Sequence, residues 1–388
     1  MTAILPDQNQ VVTYSNRPNY VVDGHSEKSA ASTHSLNHEA VTRARIGEKL
    51  AALKGCKFAG EYQPAADNGG TSIYFVPVDT LLAVDARKLG INNEDDLFGG
   101  SVPHAFMATK SITHGLIHSD ASAPPGWTHD FSIAVVDAVL EGYTTFNIKD
   151  SHIAATRLLQ SHDVRIKPAL GIGGGRQSVI TAIDQLDAVL AEISSEELAN
   201  FGVVLEQNLK DVVTYSVGQV QVAGLQVAYY GTQQLTENHS GELVYGGSTL
   251  QLVPGNFDTL LQLDLPSEIH LAIAQACQYD AAANQYFPGF IASRRNYDVA
   301  QGIDSGRKLR SGVLEQSWRL GGATPAEIAA LEAFAAKPEL QSVQASSWER
   351  YGDHESPAGA TIYFRGEDSN VGVLVKYSTV DIAPAISS

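Results

Sequence analysis

Cysteine is nearly absent from this 388-residue chain: Cys56 and Cys277 stand alone, with no CxxC spacing and no histidine cluster beside either. A disulfide framework and a thiolate zinc site are both unsupported, and each cysteine reads as a small core residue. Basic residues are also scarce, with 26 Lys plus Arg against 43 Asp plus Glu and a formal charge of −17. On average such a chain repels nucleic acid and anionic membranes, so a polyanionic ligand needs a local patch of positive charge. The start, MTAILPDQNQ, lacks a basic segment followed by an apolar run, and polar residues break every apolar stretch well before the ~18 residues of a membrane span. A cytoplasmic protein with neither nucleic-acid nor membrane partners is expected. No HExxH occurs among His104, His114, His118 and His129, and Thr214–Gly218 lacks the first glycine of a GxSxG elbow. Zinc-peptidase and serine-hydrolase chemistry have no support here.

What is present is enough apolar material to fold. Hydrophobic residues make up 44% and charged residues 18%, which excludes wholesale disorder, and the length suits two or three domains. Residues 1–37, polar and without periodicity, read as an irregular lead-in. Residues 38–140 read as a small α/β domain. In it Val41, Ile46, Leu50 and Leu53 predict a helix over 37–53 stopped by Gly55, TSIYFVPV a strand over 71–78, and LLAVDARKLGI a helix from Leu81. Pro124, Pro125 and Gly126 mark a connection. Over 141–210 the expected order is a helix at 151–160, a strand at 163–169, a helix at 180–193 and a strand at 202–209. Over 211–388, alternation on either side of Ala223-Gly224 predicts an antiparallel hairpin. Strands at 294–301 and 309–319 flank the turn 304–307, and two strands close the chain.

The segment VRIKPALGIGGGRQSVI, 164–180, carries Lys167 on a strand and then Gly171, Gly173, Gly174 and Gly175, followed by Arg176, Gln177 and Ser178. Glycines let backbone N–H groups converge on an anion where side chains would clash. Walker A needs Lys before Ser/Thr, where this chain has Arg176-Gln177-Ser178, and GxGxxG from Gly171 would need glycine at Arg176. Two readings stay open: a lid closing over a triphosphate that Lys167 meets, or a surface loop beside a solvated lysine. Similarly, VVLEQNL, 203–209, is either a buried strand end or a hinge whose main chain reads an adenine edge across Glu206, Gln207, Asn208 and Leu209.

The third segment, RRNYDVAQGIDSGRKLRSGVLEQSWRLGG, 294–322, folds as a hairpin about Asp304–Arg307. That turn sets Asp298 opposite a residue near Val313, within one pleat of Glu315, and alternation puts Glu315, Ser317 and Arg319 on one wall. Neighbouring carboxylates repel unless a cation stands between them, and magnesium takes such oxygen ligands. Arg319 could anchor a carboxylate or a phosphoryl group. Pairing of Asp298 and Glu315 with Arg294, Arg295 or Arg319 is the alternative.

In this order, lysine strand, glycine loop, hinge, hairpin, acid and E-x-[N/S]-x-R, the chain resembles the ATP-grasp superfamily. Segments such as SIYFVPVDTL, DDLFGG, ASRRNYDVAQG and VLEQSWRLGG resemble a bacterial branch of it known as a domain of unknown function. The resemblance implies an α/β (α+β) fold of two subdomains, 141–210 and 211–388, clasping nucleotide, with 38–140 as the smaller domain in front. It implies ATP and Mg2+ as cofactors, with Lys149 and Lys167 on phosphate, Gly171 to Ser178 as lid and Glu206 to Leu209 as adenine hinge. Asp298, Glu315 and Ser317 fall on the metal positions, with Ser317 where Asn is usual, and Thr214 stands where an acidic ribose contact is common. Lys167, Glu315 and Arg319 become the catalytic set. The implied reaction activates a small-molecule or peptide carboxylate as an acyl phosphate for attack by an amine or other nucleophile; a homodimer is compatible with it. A nucleotide-binding regulatory or scaffold protein of the same fold, or a phosphotransferase, are the alternatives.

Overall fold

The computed structural model describes residues 9–15, 37–64, 72–171 and 176–382. Strand Gln10–Tyr14, inside the stretch expected to be irregular, lies between the parallel strands Lys57–Glu61 and Ile73–Pro77. Its β-branched Val11 and Val12 are buried, so the cost of ordering it is met by pairing on both sides. Helix His38–Lys54 follows the expected pattern: the Asn37 side chain accepts from the Ala40 N–H, and Gly55, at φ 62°, ends it in the left-handed conformation.

Two helix expectations are corrected. LLAVDARKLGI begins as strand Leu81–Leu82, paired with Gly100–Val102, and is helical only over Ala83–Lys88. The segment 180–193 is not one helix, because Ile180 ends strand Ser178–Ile180 and the Gln185 side chain accepts from the N–H groups of Thr181 and Ala182. That local competition for backbone donors leaves a short turn and a helix only over Leu186–Leu190.

A four-stranded antiparallel sheet runs in the order Gly142–Thr145, Val203–Gln207, Val164–Pro168, Ser178–Ile180. Helix Ile148–Leu158 packs Ala154, Ala155 and Leu158 against its apolar side chains. Residues 210–381 build an eight-stranded antiparallel sheet. In it Lys210–Val222 and Leu225–Glu237 form the expected hairpin, turning at Ala223 and Gly224 with φ 54° and 75°. Helix Ser267–Tyr286 buries one face of this sheet with Tyr297, Val299 and Val313. Helix Thr324–Ala336 packs on the other, the face to which Arg294, Asn296 and Asp298 belong by alternation. No helix among the described residues is long and apolar enough to cross a membrane.

Candidate active site

The hairpin of Arg294–Ile303 and Leu309–Ser317 forms one edge of the large sheet. Its register at Asp298 is shifted from the expected one. Asp298 pairs directly with Glu315 and Val299 with Val313, so Leu314 is the extra residue of a bulge. The bulge brings the two carboxylates face to face instead of leaving them a pleat apart. Asn296 pairs with Ser317 on the same face and donates to Asp298 Oδ1 at 2.9 Å.

Two buried lysines reach this hairpin at adjacent residues. Lys167, in the middle of the small sheet, places Nζ 2.9 Å from Glu206 Oε1 and 3.4 Å from the Leu314 carbonyl. His114 holds the other Glu206 oxygen at 3.0 Å. Lys110, 4% exposed, sits 2.8 Å from Glu315 Oε2 and donates to the Gly171 carbonyl at 2.7 Å. It was missed in the sequence because it lies in a short turn, Lys110–Thr113, without periodicity. What fixes it is tertiary: the Gln316 side chain donates to the carbonyls of Met107 and Thr109, fastening the turn to the hairpin. Lys149 does not join this cluster. It is exposed in the first turn of helix Ile148–Leu158, where Asn147 caps the helix, while neighbouring Asp150 is the residue turned inward.

Around the glycine segment, Gly171 lies at the root of the loop under Lys110, whereas Gly173, Gly174 and Gly175 are outside the described residues. Arg176, at φ 60°, forms an ion pair with the buried Glu197 at 3.1 Å. Gln177 accepts from Arg165, and Ser178 opens its strand. The hinge side chains are committed to protein partners. Glu206 holds Lys167 and His114, Gln207 accepts from the Glu141 N–H, Asn208 accepts from Arg165, and Leu209 packs with Leu140 and Ala300. One polar atom of the hinge is left over: Gln207 Nε2 is buried without a partner among the described residues, whereas the main-chain N–H groups of Gln207 and Asn208 donate to the Glu141 and Asp163 carbonyls. Arg319, a third exposed, lies 3.7 Å from Asp79, and Thr80 donates to the Trp318 carbonyl at 3.3 Å. Ser317 Oγ accepts from Arg294 at 3.2 Å.

Charge is unevenly settled across the cluster. Burial raises Glu206, but Lys167 and His114 outweigh it and hold the carboxyl down at about 2. Burial likewise opposes ionisation of Glu315, and Lys110 with Lys167 lowers it overall. Asp298 goes the other way, pushed up to about 6 by burial and then by the Glu315 charge. Among the described residues no group of three or more His, Cys, Asp or Glu side chains gathers around a point. The facing Asp298 and Glu315 carboxylates offer the oxygen donors that a hard divalent cation takes, and such an ion would relieve the repulsion that raises Asp298. Without a cation, that repulsion weakens the fold. Asp298→Asn is expected to stabilise the ligand-free protein by about 1 kcal/mol at pH 8, a gain that shrinks as pH falls from 6 towards 4, where Asp298 is protonated in the fold. Urea melts across that range check this; a gain that grows on acidification would contradict it.

The family model described as a protein of unknown function (DUF3182) matches residues 26–378. No curated protein matches the chain in sequence. Among solved structures, N5-carboxyaminoimidazole synthetase from Staphylococcus aureus superposes with a TM-score of 0.53 at 12% identity, covering 98% of this chain and 95% of the other. The same enzyme complexed with ADP gives 0.51 at 11%, covering 97% and 95%. The biotin carboxylase domain dimer of Hydrogenobacter thermophilus 2-oxoglutarate carboxylase, in complex with MgADP, ADP and bicarbonate, gives 0.51 at 10%, covering 98% and 87%. At such identities the likeness is one of fold, and the fold is ATP-grasp.

Proposed function

The chain belongs to the DUF3182 family of proteins of unknown function, and we propose that it is an ATP- and Mg2+-dependent ligase that activates a substrate carboxylate for attack by an amine or other nucleophile. The observation that carries this reading is the arrival of two buried lysines, Lys110 and Lys167, at neighbouring residues of a hairpin bearing two facing carboxylates. An interior holding so much paired charge is costly unless a charged ligand uses it. ATP, when bound, supplies the γ-phosphoryl group that converts a carboxylate into an acyl phosphate.

Within this reading, Lys110 and Lys167 meet phosphate oxygens, and Asp298 and Glu315 hold Mg2+. The adenine lies along Glu206 to Leu209, where the buried Gln207 Nε2 has no partner among the described residues. Gly171, whose carbonyl Lys110 holds, lies beside the phosphates, and exclusion of water from the site protects the activated carboxyl from hydrolysis. Arg319, the most exposed cation of the cluster, orients the substrate carboxylate. No protein nucleophile is needed, in keeping with Cys277, whose thiol burial pushes up to about 12.

Carboxylates labelled with 18O test the proposal. Attack of a carboxylate oxygen on the γ-phosphorus breaks the β–γ P–O bond and releases ADP. Attack of the nucleophile on the acyl carbon then expels phosphate carrying one label. Labelled phosphate formed only with ATP, Mg2+ and a competent acceptor is expected. ADP formed with a hydroxyl acceptor and unlabelled phosphoryl product would instead mark a phosphotransferase, and nucleotide binding without ADP formation a binding protein.

A further inference from the structure

Ser317 stands where the superfamily pattern puts a third oxygen ligand, yet its neighbour in the fold is a cation. Arg294 is 1% exposed and pairs at 2.8 Å with Glu327, which is fully buried in helix Thr324–Ala336. Glu327 takes the Nε and Nη2 edge of the guanidinium and also accepts from Tyr229 at 2.6 Å. The opposite nitrogen, Nη1, faces the hairpin. It donates to Ser317 Oγ at 3.2 Å, to the Ser317 carbonyl at 3.1 Å and to the Arg319 carbonyl at 2.7 Å.

A guanidinium in a protein keeps its protons, so Nη1 presents hydrogens and never a lone pair. A magnesium ion bound at ~2.1 Å to Ser317 Oγ would lie within about 5 Å of that nitrogen, in surroundings that screen poorly. Arg294 cannot swing away without leaving Glu327 buried and uncompensated. Asp298 and Glu315 are two residue pairs farther along the hairpin, on the same face, where the Glu315 side chain is 34% exposed and open to a ligand.

Building on the ligase reading, we infer that the hairpin holds one divalent cation, shared by Asp298 and Glu315, and that Arg294 keeps Ser317 out of its coordination. Arg294 thereby acts as a positioning residue, fixing both carbonyls that flank Trp318 and setting the backbone from which Arg319 projects.

The test is a titration of the full chain with Mn2+ in the presence of one equivalent of a non-hydrolysable ATP analogue, read by loss of the free Mn2+ signal in electron paramagnetic resonance. One bound ion per chain is expected. Ser317→Ala should leave Mn2+ affinity within about twofold, whereas Asp298→Asn should lower it by at least the roughly tenfold that loss of even a ligand's hydrogen-bonding partner costs. Two bound ions per chain, or a tenfold loss in Ser317→Ala, overturns the inference while the nucleotide reading stands. Absence of both Mn2+ and analogue binding overturns the two together.

Discussion

Lys110→Met is expected to reduce ATP turnover by roughly 10²–10³-fold, the cost of removing one preorganised charge from a phosphoryl-transfer site, while Lys149→Met changes it by no more than about twofold. The contrast follows from placement. Lys110 is buried between Glu315 and the Gly171 carbonyl, and Lys149 is an exposed helix residue. Lys167→Met should lose turnover to a similar extent and also stability, because Glu206, at 1% exposure, keeps only His114 as a partner. Stripping one partner from a buried pair costs about 3–5 kcal/mol. The Glu206 carboxyl is held down at about 2, so the stability it contributes is in place above the ordinary carboxylate range and fades as pH falls towards 2. The Lys167→Met deficit should therefore be large at pH 7 and smaller near pH 3. Labelled-carboxylate turnover and denaturant melts at both pH values read all three variants, and equal losses in Lys110→Met and Lys149→Met would refute the placement.

The second large effect lies beneath the hairpin. Arg294→Met alone leaves Glu327 buried without its cation, and Glu327→Leu alone leaves the guanidinium; each is expected to destabilise by about 3–5 kcal/mol. The double variant, which removes both charges and fills the volume with apolar atoms, should recover most of that loss. Tyr229 limits the recovery, because its hydroxyl donates to Glu327 and keeps only Asn296 when the acid is gone. Urea unfolding of the four proteins gives the coupling directly. Additive losses in the double variant would mean that the two side chains do not act as a pair.

The parts of this site legible in the sequence are those carried by local regularity. The alternation of 294–303 and 309–317, the turn between them and the position of Lys167 on a strand all follow from period-2 patterning. The bulge at Leu314 does not, since it is decided by pairing and interrupts the alternation of its strand, putting Val313 and Gln316 on one face. Lys110 was hidden for a related reason. Its turn has no period, and the contacts that bury it come from Gln316, more than two hundred residues away. Lys149 drew attention by preceding Lys167 in the expected order, but the Asn147 cap fixes its helix so that Asp150 turns inward and Lys149 outward. Strand Gln10–Tyr14 escaped notice because both of its parallel partners lie far along the chain and its own flanks are polar. The acidic imbalance of the whole chain is plain from composition, whereas the two buried lysines come from different elements and each pairs with a glutamate.

The claim on which the rest depends is that a triphosphate sits between the small sheet and the carboxylate hairpin. A crystal structure of the protein with a non-hydrolysable ATP analogue and Mg2+ measures this directly. Phosphate oxygens within hydrogen-bonding distance of Nζ of Lys110 and Lys167, with the cation between Asp298 and Glu315 and the adenine along Glu206 to Leu209, are predicted. Analogue bound on another surface, with Lys167 still held by Glu206 and the Leu314 carbonyl and Lys110 by Glu315 and the Gly171 carbonyl at saturating ligand, would contradict it.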